Sequence, residues 1–218
     1  YNYGLKKDIS ENGTAFAKQN NDWINENKLD KKTWTYADGK FAFSSINLKL
    51  DRGKEDMLRV YEGENTEPST DLYDWYVSTD NINWKMVNTA SSTYSLPRQL
   101  YDQNVYAANS SSRTNSVLVK AIHVEAKLTT SDNTYTVTVT NDTEYSNEKL
   151  GLTIKYEWYN GETKIAETSS ASSSSYDRPN EATYNDKYSC KVTVTSGGQE
   201  LFKDWVSATR VVYLNPKD

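Results

Sequence analysis

The sequence predicts an all-β protein built from two tandem antiparallel β-sandwich units, preceded by an irregular N-terminal segment. The first observation is that short segments of alternating apolar and polar residues recur from residue 44 onward, as expected of strands with one buried face. The second is that Gly-, Asn-, Asp- and Ser-containing turn signals separate these segments at short intervals. The third is an internal repeat of aromatic landmarks. Together they favour two sandwiches over a helical or mixed fold.

Each copy of the repeat contains a tryptophan, two tyrosines and a proline in the same order. The second tyrosine follows the first by twelve residues in both copies, and the proline follows the first tyrosine by three. The tryptophan precedes the first tyrosine by nineteen residues in one copy and by eighteen in the other. The landmarks are Trp75, Tyr94, Pro97 and Tyr106 in the first copy, and Trp158, Tyr176, Pro179 and Tyr188 in the second.

Length and charge limit the classes of function. A chain of 218 residues has room for two sandwiches of roughly 100 residues each. The net charge of −5 gives no general attraction for nucleic acid or anionic lipid, so we predict neither as a partner. No apolar run approaches the roughly 20 residues of a membrane-spanning helix, so we predict no membrane-spanning segment in this chain.

The sequence offers few groups for catalysis. Cys190 is the single cysteine and His123 the single histidine, which excludes an intrachain disulfide, a multi-cysteine metal site and a histidine-rich zinc site. A carboxylate pair, as in glycosidases, would be the remaining route to an enzyme. The nearest candidates fall at strand ends and in loops, where they are interpreted as solvated charges: Glu62, Glu64, Asp71 and Asp74. We therefore predict no enzyme, no cofactor and no resident metal, with calcium binding by these residues, Asp80 and Asn83 left open.

Three segments are expected along the chain. Residues 1–43 are of uncertain structure, with a possible short helix near residues 12–24, a strand at 32–36 and a turn at 37–40. Residues 44–121 form the first predicted domain and residues 122–218 the second. No Gly, Pro or Ser occurs between Lys120 and Leu128, so we predict a stiff junction between the two domains. Whether the N-terminal segment belongs to the first domain stays open.

Alternation assigns the inward face of each predicted strand. In the first domain the expected features are strands containing Ile46–Leu50 and Leu58–Val60, a hairpin at 72–87 that turns at 80–83, and a last strand at 115–119. In the second they are strands at 135–139, 152–158 and 188–194, turns at 160–161 and 196–198, and a final strand from Trp205. The serine run at 169–175 is expected to be a loop or an exposed edge.

The residues around the second tyrosine of the second copy resemble those of the immunoglobulin-like fold. Tyr188-Ser-Cys190 is similar to the strand that carries the tyrosine corner, and Trp158 to the buried tryptophan of that fold. The run from Trp75 to Trp84 is similar to a W-x-x-S-x-D-x-x-x-W hairpin of bacterial immunoglobulin-like modules. The resemblance covers residues 44–218.

The resemblance implies a shared core but no disulfide. It places Trp75, Tyr106, Trp158, Tyr188 and Cys190 in the structural core, with Ala108 at the position of Cys190 in the first copy. The strand that would carry the partner cysteine has valines instead, so each sandwich would be held by packing alone.

The six tryptophans and seventeen tyrosines exceed the needs of two small cores. Some of them are therefore candidates for an exposed platform that stacks on sugar rings. The predicted platform residues are Trp34, Tyr76, Trp84 and Tyr159, with Trp23 and Trp205 as further candidates. The alternative is ordinary packing between the N-terminal segment and the first domain.

For function, the resemblance implies a non-catalytic, monomeric region of a bacterial surface or secreted protein, located extracellularly. Its expected role is adhesion to a host protein or glycan, or that of a stiff spacer presenting other domains. The alternative is a carbohydrate-binding or accessory module of a larger secreted hydrolase. The sequence does not determine the ligand, the parent protein or the source.

Overall fold

The structure, a computed structural model, describes residues 32–37, 40–179 and 186–208, with side chains from residue 46 onward. All fifteen elements of this described part are strands, and every pairing between them is antiparallel. None of the described residues belongs to a helix capable of crossing a membrane. The strands divide into two compact units, β1–β8 and β9–β15. The fold is all-β, with two tandem sandwiches.

The first unit contains two four-stranded sheets. One has the strand order β1-β2-β3-β6 and the other the order β5-β4-β7-β8. The strands are β1 (Lys32–Ala37), β2 (Lys40–Arg52), β3 (Asp56–Glu62), β4 (Tyr73–Ser78), β5 (Lys85–Ser91), β6 (Thr93–Leu96), β7 (Gln103–Ala108) and β8 (Val117–Val119).

The second unit contains a three-stranded sheet, β13-β10-β9, and a four-stranded sheet, β12-β11-β14-β15. The strands are β9 (Val124–Ser131), β10 (Thr134–Asn141), β11 (Thr153–Asn160), β12 (Thr163–Ser169), β13 (Ser173–Asp177), β14 (Tyr188–Ser196) and β15 (Gln199–Ser207). Of the serine run, Ser169 ends β12 and residues 173–175 belong to β13, and both are edge strands. The final strand, predicted from Trp205 to Leu214, begins at Gln199, directly after a turn in which Gly197 and Gly198 both have positive φ. Residues 209–214 of that prediction lie outside the described residues.

Apart from β1, which is an additional edge strand of the first unit, the two units share one connectivity. Two strands pair in one sheet, the next two pair in the other, a fifth returns to the first sheet, and the last two complete the second sheet. This alternation between sheets is that of an immunoglobulin-like sandwich in which the tryptophan strand, β4 or β11, lies inside the four-stranded sheet.

The N-terminal part of the described chain joins the first unit. β1 pairs with β2 along its whole length, and Ala37 lies opposite Lys40. The expected domain boundary at residue 44 falls inside β2, so it does not coincide with the end of an element. The proposed helix near residues 12–24 lies outside the described residues.

Each unit has its own hydrophobic core between its two sheets. The strands that line it bury every second residue; in β14 the alternation continues from Tyr188 to Ser196. The tryptophans of the repeat, Trp75 and Trp158, are fully buried, one in each core. Each large apolar side chain that is fully buried stabilises its sandwich by about 1.5–3 kcal/mol. The sum over one core lets each sandwich form without a disulfide.

Candidate binding faces of the two units

The predicted surface aromatics lie on the outward faces of the two sheets that contain the tryptophan strands β4 and β11. Tyr76 follows the buried Trp75 in β4, and Tyr159 follows the buried Trp158 in β11. Because successive side chains of a strand point to opposite faces, both tyrosines lie on the outside of their sheets. The same position of the repeat therefore supplies one outward aromatic residue to each unit.

In the first unit, Tyr76 is part of a cluster around Tyr106 of β7. The two rings are stacked, with centroids 4.7 Å apart and planes at 15°. Trp84 meets Tyr106 edge-on at 4.7 Å, and the Arg113 guanidinium carbon lies 3.8 Å from the centroid of the same ring. We call Tyr76, Trp84, Tyr106 and Arg113 the first-unit aromatic cluster; all four are half-buried.

The location of Tyr106 corrects the sequence prediction, which assigned this residue to the core. In β7 the inward residues are Val105 and Ala107, both fully buried, so Tyr106 points outward. Trp75 lies opposite Ala107, as Trp158 lies opposite Cys190. The counterpart of Cys190 is therefore Ala107 and not Ala108. A displacement of one residue in the alignment moved the predicted tyrosine to the wrong face.

Tyr106 has little ring surface left for a ligand. Burial raises the pKa of its hydroxyl, although the nearby Arg113 charge opposes that shift. Burial also lowers the pKa of Arg113. Apolar surface for contact with a partner is left to the rings of Tyr76 and Trp84 and to the neighbouring Met86 side chain, which is 50% exposed and lies opposite Tyr76 on β5.

In the second unit, Tyr159 pairs with Trp205 of the edge strand β15. Their rings meet edge-on with centroids 4.9 Å apart, and the indole remains 48% exposed. Lys191 lies opposite Trp205 in the neighbouring strand, with its Nζ 5.9 Å from the indole centroid. Trp205 is the most exposed tryptophan of the described side chains.

An ion-pair network adjoins this aromatic pair. Glu157 contacts Lys155 at 3.5 Å and Lys164 at 3.2 Å, and Lys164 also pairs with Glu167. Partial burial would raise the pKa of Glu157, but the two lysines lower it overall. The carboxylates at this end of the face are thereby neutralised by lysines of the same sheet.

The predicted platform is thus distributed rather than assembled in one place. Tyr76 and Trp84 meet through Tyr106 in the first unit, while Tyr159 contacts Trp205 in the second. Trp23 and the side chain of Trp34 lie outside the described part of the structure. Sequence reasoning did not identify Arg113, which reaches the cluster because its backbone forms a bridge with Ala108 at the end of β7.

The remaining predicted core residues occupy the two interiors. Tyr188 is 6% exposed and Cys190 is fully buried beside Trp158. The indole nitrogens donate to Ser91 O in the first unit, at 2.9 Å, and to Ser174 Oγ in the second, at 3.0 Å. The Tyr188 hydroxyl lies 3.5 Å from an Asp186 carboxylate oxygen.

The carboxylates considered for catalysis or calcium have other surroundings. Asp80 accepts hydrogen bonds from the Ile82 and Asn83 amides, and Asp74 from the Ala90 amide. Glu62 and Asp71 line a polar loop groove of about 390 Å³. Among the described residues, no three His, Cys, Asp or Glu side chains are grouped so as to hold a metal ion.

Comparisons with known proteins find matches among solved structures but none by sequence. No family model and no curated protein matches the sequence. A two-domain fibronectin type-III segment of chicken tenascin is similar in structure at 11% identity and a TM-score of 0.31, with 75% of this chain and 98% of that chain covered. The FN1–FN3 domains of chicken CNTN1 align at 11% identity and a TM-score of 0.26, with 83% of this chain and 78% of that chain covered. At these values the likenesses carry no argument about function.

Proposed function

We propose that this chain is a non-catalytic, extracellular, tandem immunoglobulin-like region of a bacterial surface or secreted protein. It serves as a stiff spacer that presents other domains, and its outward aromatic faces adhere to a host protein or glycan. The two domains meet between residues 121 and 122. The way the chain is anchored at that junction supports the spacer role.

The junction has almost no unanchored chain. The Ala121 amide donates to Asp102 Oδ1 at 2.8 Å, within the first unit. Ile122 is 5% exposed in the core of the second unit, and the His123 amide donates to Asp142 Oδ1 at 3.0 Å. The Asp142 carboxylate also contacts His123 Nδ1 at 2.9 Å. Consecutive residues are thus held by different units, which leaves no residue to act as a flexible tether.

Spin-label distance measurements test this proposal. Glu64→Cys and Glu162→Cys place one label on an exposed site of each unit, while the buried Cys190 stays unlabelled. We expect a narrow distance distribution in the parent chain. Insertion of Gly-Ser-Gly-Ser between Ala121 and Ile122 should broaden it, and the Asp102→Ala/Asp142→Ala variant should broaden it to a smaller degree.

The matched control is Asp132→Asn, which removes an exposed carboxylate of the second unit away from the junction and suits the positive φ of this position. It should leave the distribution unchanged. A parent distribution as broad as that of the inserted variant would rule out a stiff spacer.

A second candidate function is that of a carbohydrate-binding or accessory module of a larger hydrolase. The observation in its favour is the pair of outward aromatic sites, since exposed rings stack on the apolar faces of sugars. A panel of polysaccharides and glycoproteins, followed by tryptophan fluorescence, tests it. Trp84→Ala should remove binding if the first-unit aromatic cluster is the site, whereas Tyr61→Ala on the opposite sheet should have no effect. A flat response across the panel would count against this second function.

A further inference from the structure

The exposed Trp205 ring lies beside lysines that have no ion-pair partner among the described residues. Lys191 lies opposite Trp205, and Lys203 lies two residues earlier in β15, opposite Thr193 on the same face. Residues two apart in a strand are about 7 Å apart, so the Lys203 side chain leaves the sheet next to that of Trp205. Lys155 and Lys164, by contrast, are engaged by Glu157 and Glu167. On this face four lysines, at positions 155, 164, 191 and 203, outnumber the two carboxylates of Glu157 and Glu167, so it carries an excess of positive charge on a chain whose net charge is −5.

The indole is held in position before any ligand binds. Tyr159 supports it edge-on at 4.9 Å, while about half of the Trp205 surface stays exposed. A supported ring loses little conformational freedom when a flat partner stacks on it. Ser189, opposite Tyr159, adds a hydroxyl to the same face. The surface thus combines a stacking ring, two cations and a hydrogen-bonding group.

We infer that this face, formed by Trp205, Lys191 and Lys203, binds a carboxylated oligosaccharide. The apolar side of a pyranose ring would stack on the indole, and the carboxylates of the uronic acid units would pair with the two amines. The inference rests on the second candidate function above and specifies its ligand class. The other carboxylates near the patch are Glu157, Asp204 and Glu200. Glu157 lies opposite Lys191 in β11 and pairs with Lys155 and Lys164. Asp204 Oδ1 accepts from the Trp205 amide, and Glu200 lies opposite Thr195 at the far end of β15.

Calorimetric titration of the full chain with oligogalacturonate, and separately with oligoalginate, tests the inference. At least one of them should bind, and the methyl ester of the bound oligosaccharide should bind more weakly because it lacks the charge. Trp205→Ala should weaken binding about tenfold. Lys191→Gln and Lys203→Gln should each weaken it two- to fivefold, on the order of an exposed ion pair. An increase from about 50 mM to about 500 mM NaCl should weaken it further.

Lys127→Gln is the matched control, since it removes the same charge from an exposed position on the other sheet of the second unit. It should bind like the parent chain. Absence of binding by both acidic oligosaccharides overturns the inference, as does binding that the Trp205 and lysine changes leave intact. Equal binding of acid and ester overturns the acidic ligand class while the carbohydrate-binding function survives. The spacer proposal depends on none of these outcomes, because the distance measurements test it separately.

Discussion

Trp158 and Tyr176 lie face to face in the second unit, with ring centroids 5.9 Å apart and planes at 28°. Trp75 and Tyr94 have nearly the same geometry in the first unit, at 5.8 Å and 29°. In both units the tryptophan belongs to an inner strand of one sheet, β4 or β11, while the tyrosine belongs to an edge strand of the opposite sheet, β6 or β13. The first two landmarks of the sequence repeat are therefore a contact that joins the two sheets of each sandwich.

We expect removal of this contact to destabilise only the unit that contains it. Tyr176→Ala should lower the free energy of unfolding of the second unit by about 1–3 kcal/mol through lost ring contact and apolar burial, and Tyr94→Ala should do the same in the first. Urea unfolding followed by residue-resolved NMR separates the two units. Tyr159→Ala, on the outer face, serves as the control with a smaller effect. Equal destabilisation of both units by one change would contradict this assignment.

The buried hydroxyl of Tyr156 lowers the stability of the second core. Its side chain is fully buried, and the hydroxyl has no hydrogen-bond partner among the described residues. Burial raises its pKa to about 12. Tyr156→Phe removes the unsatisfied oxygen and keeps the ring, so we expect unchanged or increased stability, by up to about 1–3 kcal/mol. Chemical denaturation measures this change in unfolding free energy, and a clear loss of stability would reveal a partner for the hydroxyl.

Cys190 should behave as an inert thiol. Burial raises its pKa to about 12, so the reactive thiolate is scarce at neutral pH in the folded protein. A disulfide reagent such as Ellman's reagent should react slowly with the native chain and quickly in denaturant. Rapid native-state labelling would contradict the buried position.

The same shift predicts alkaline destabilisation. A folded pKa above the unfolded value favours the protonated folded form, so this contribution is present below the unfolded pKa of roughly 8.5 and is lost as pH rises toward 12. Unfolding free energies of the second unit between these pH values should fall less steeply in Cys190→Val than in the parent chain. Identical slopes would mean that the thiol does not contribute.

Asp80 organises the turn of the hairpin between β4 and β5. Its carboxylate accepts from the Asn83 and Ile82 amides, from Asn83 Nδ2 and from Ser78 Oγ, and these bonds hold its pKa well below the usual range. A lowered folded pKa gives stability that is present above the unfolded pKa and lost as pH falls. We expect Asp80→Ala to lower the unfolding midpoint of the first unit at neutral pH and to flatten its dependence on acid pH. An NMR titration of the Asp80 carboxyl carbon that gave an ordinary pKa would contradict the turn geometry.

The aromatic faces were only partly predictable. Tyr76 and Tyr159 could be assigned to the surface because each directly follows a core tryptophan, and Trp84 because it ends the same hairpin. The contacts of these rings could not be predicted, since Tyr106, Arg113 and Trp205 reach them from strands or loops that are distant in sequence. The Trp205 face in particular depends on the pairing of β14 with β15.

The sequence by itself determined which side of most strands faces a core, because a strand alternates its side chains with a period of two and burial selects the apolar set. It also determined that there are two units, through the repeated tryptophan and tyrosine landmarks. Only the tertiary structure decided the register between strands. Tyr106 and Tyr188 have the same spacing within the sequence repeat, but they pair with different positions of their tryptophan strands. This difference of one residue in register turns Tyr106 outward, whereas Tyr188 points inward. That register depends on cross-strand hydrogen bonds and core packing between distant segments, which local spacing does not encode.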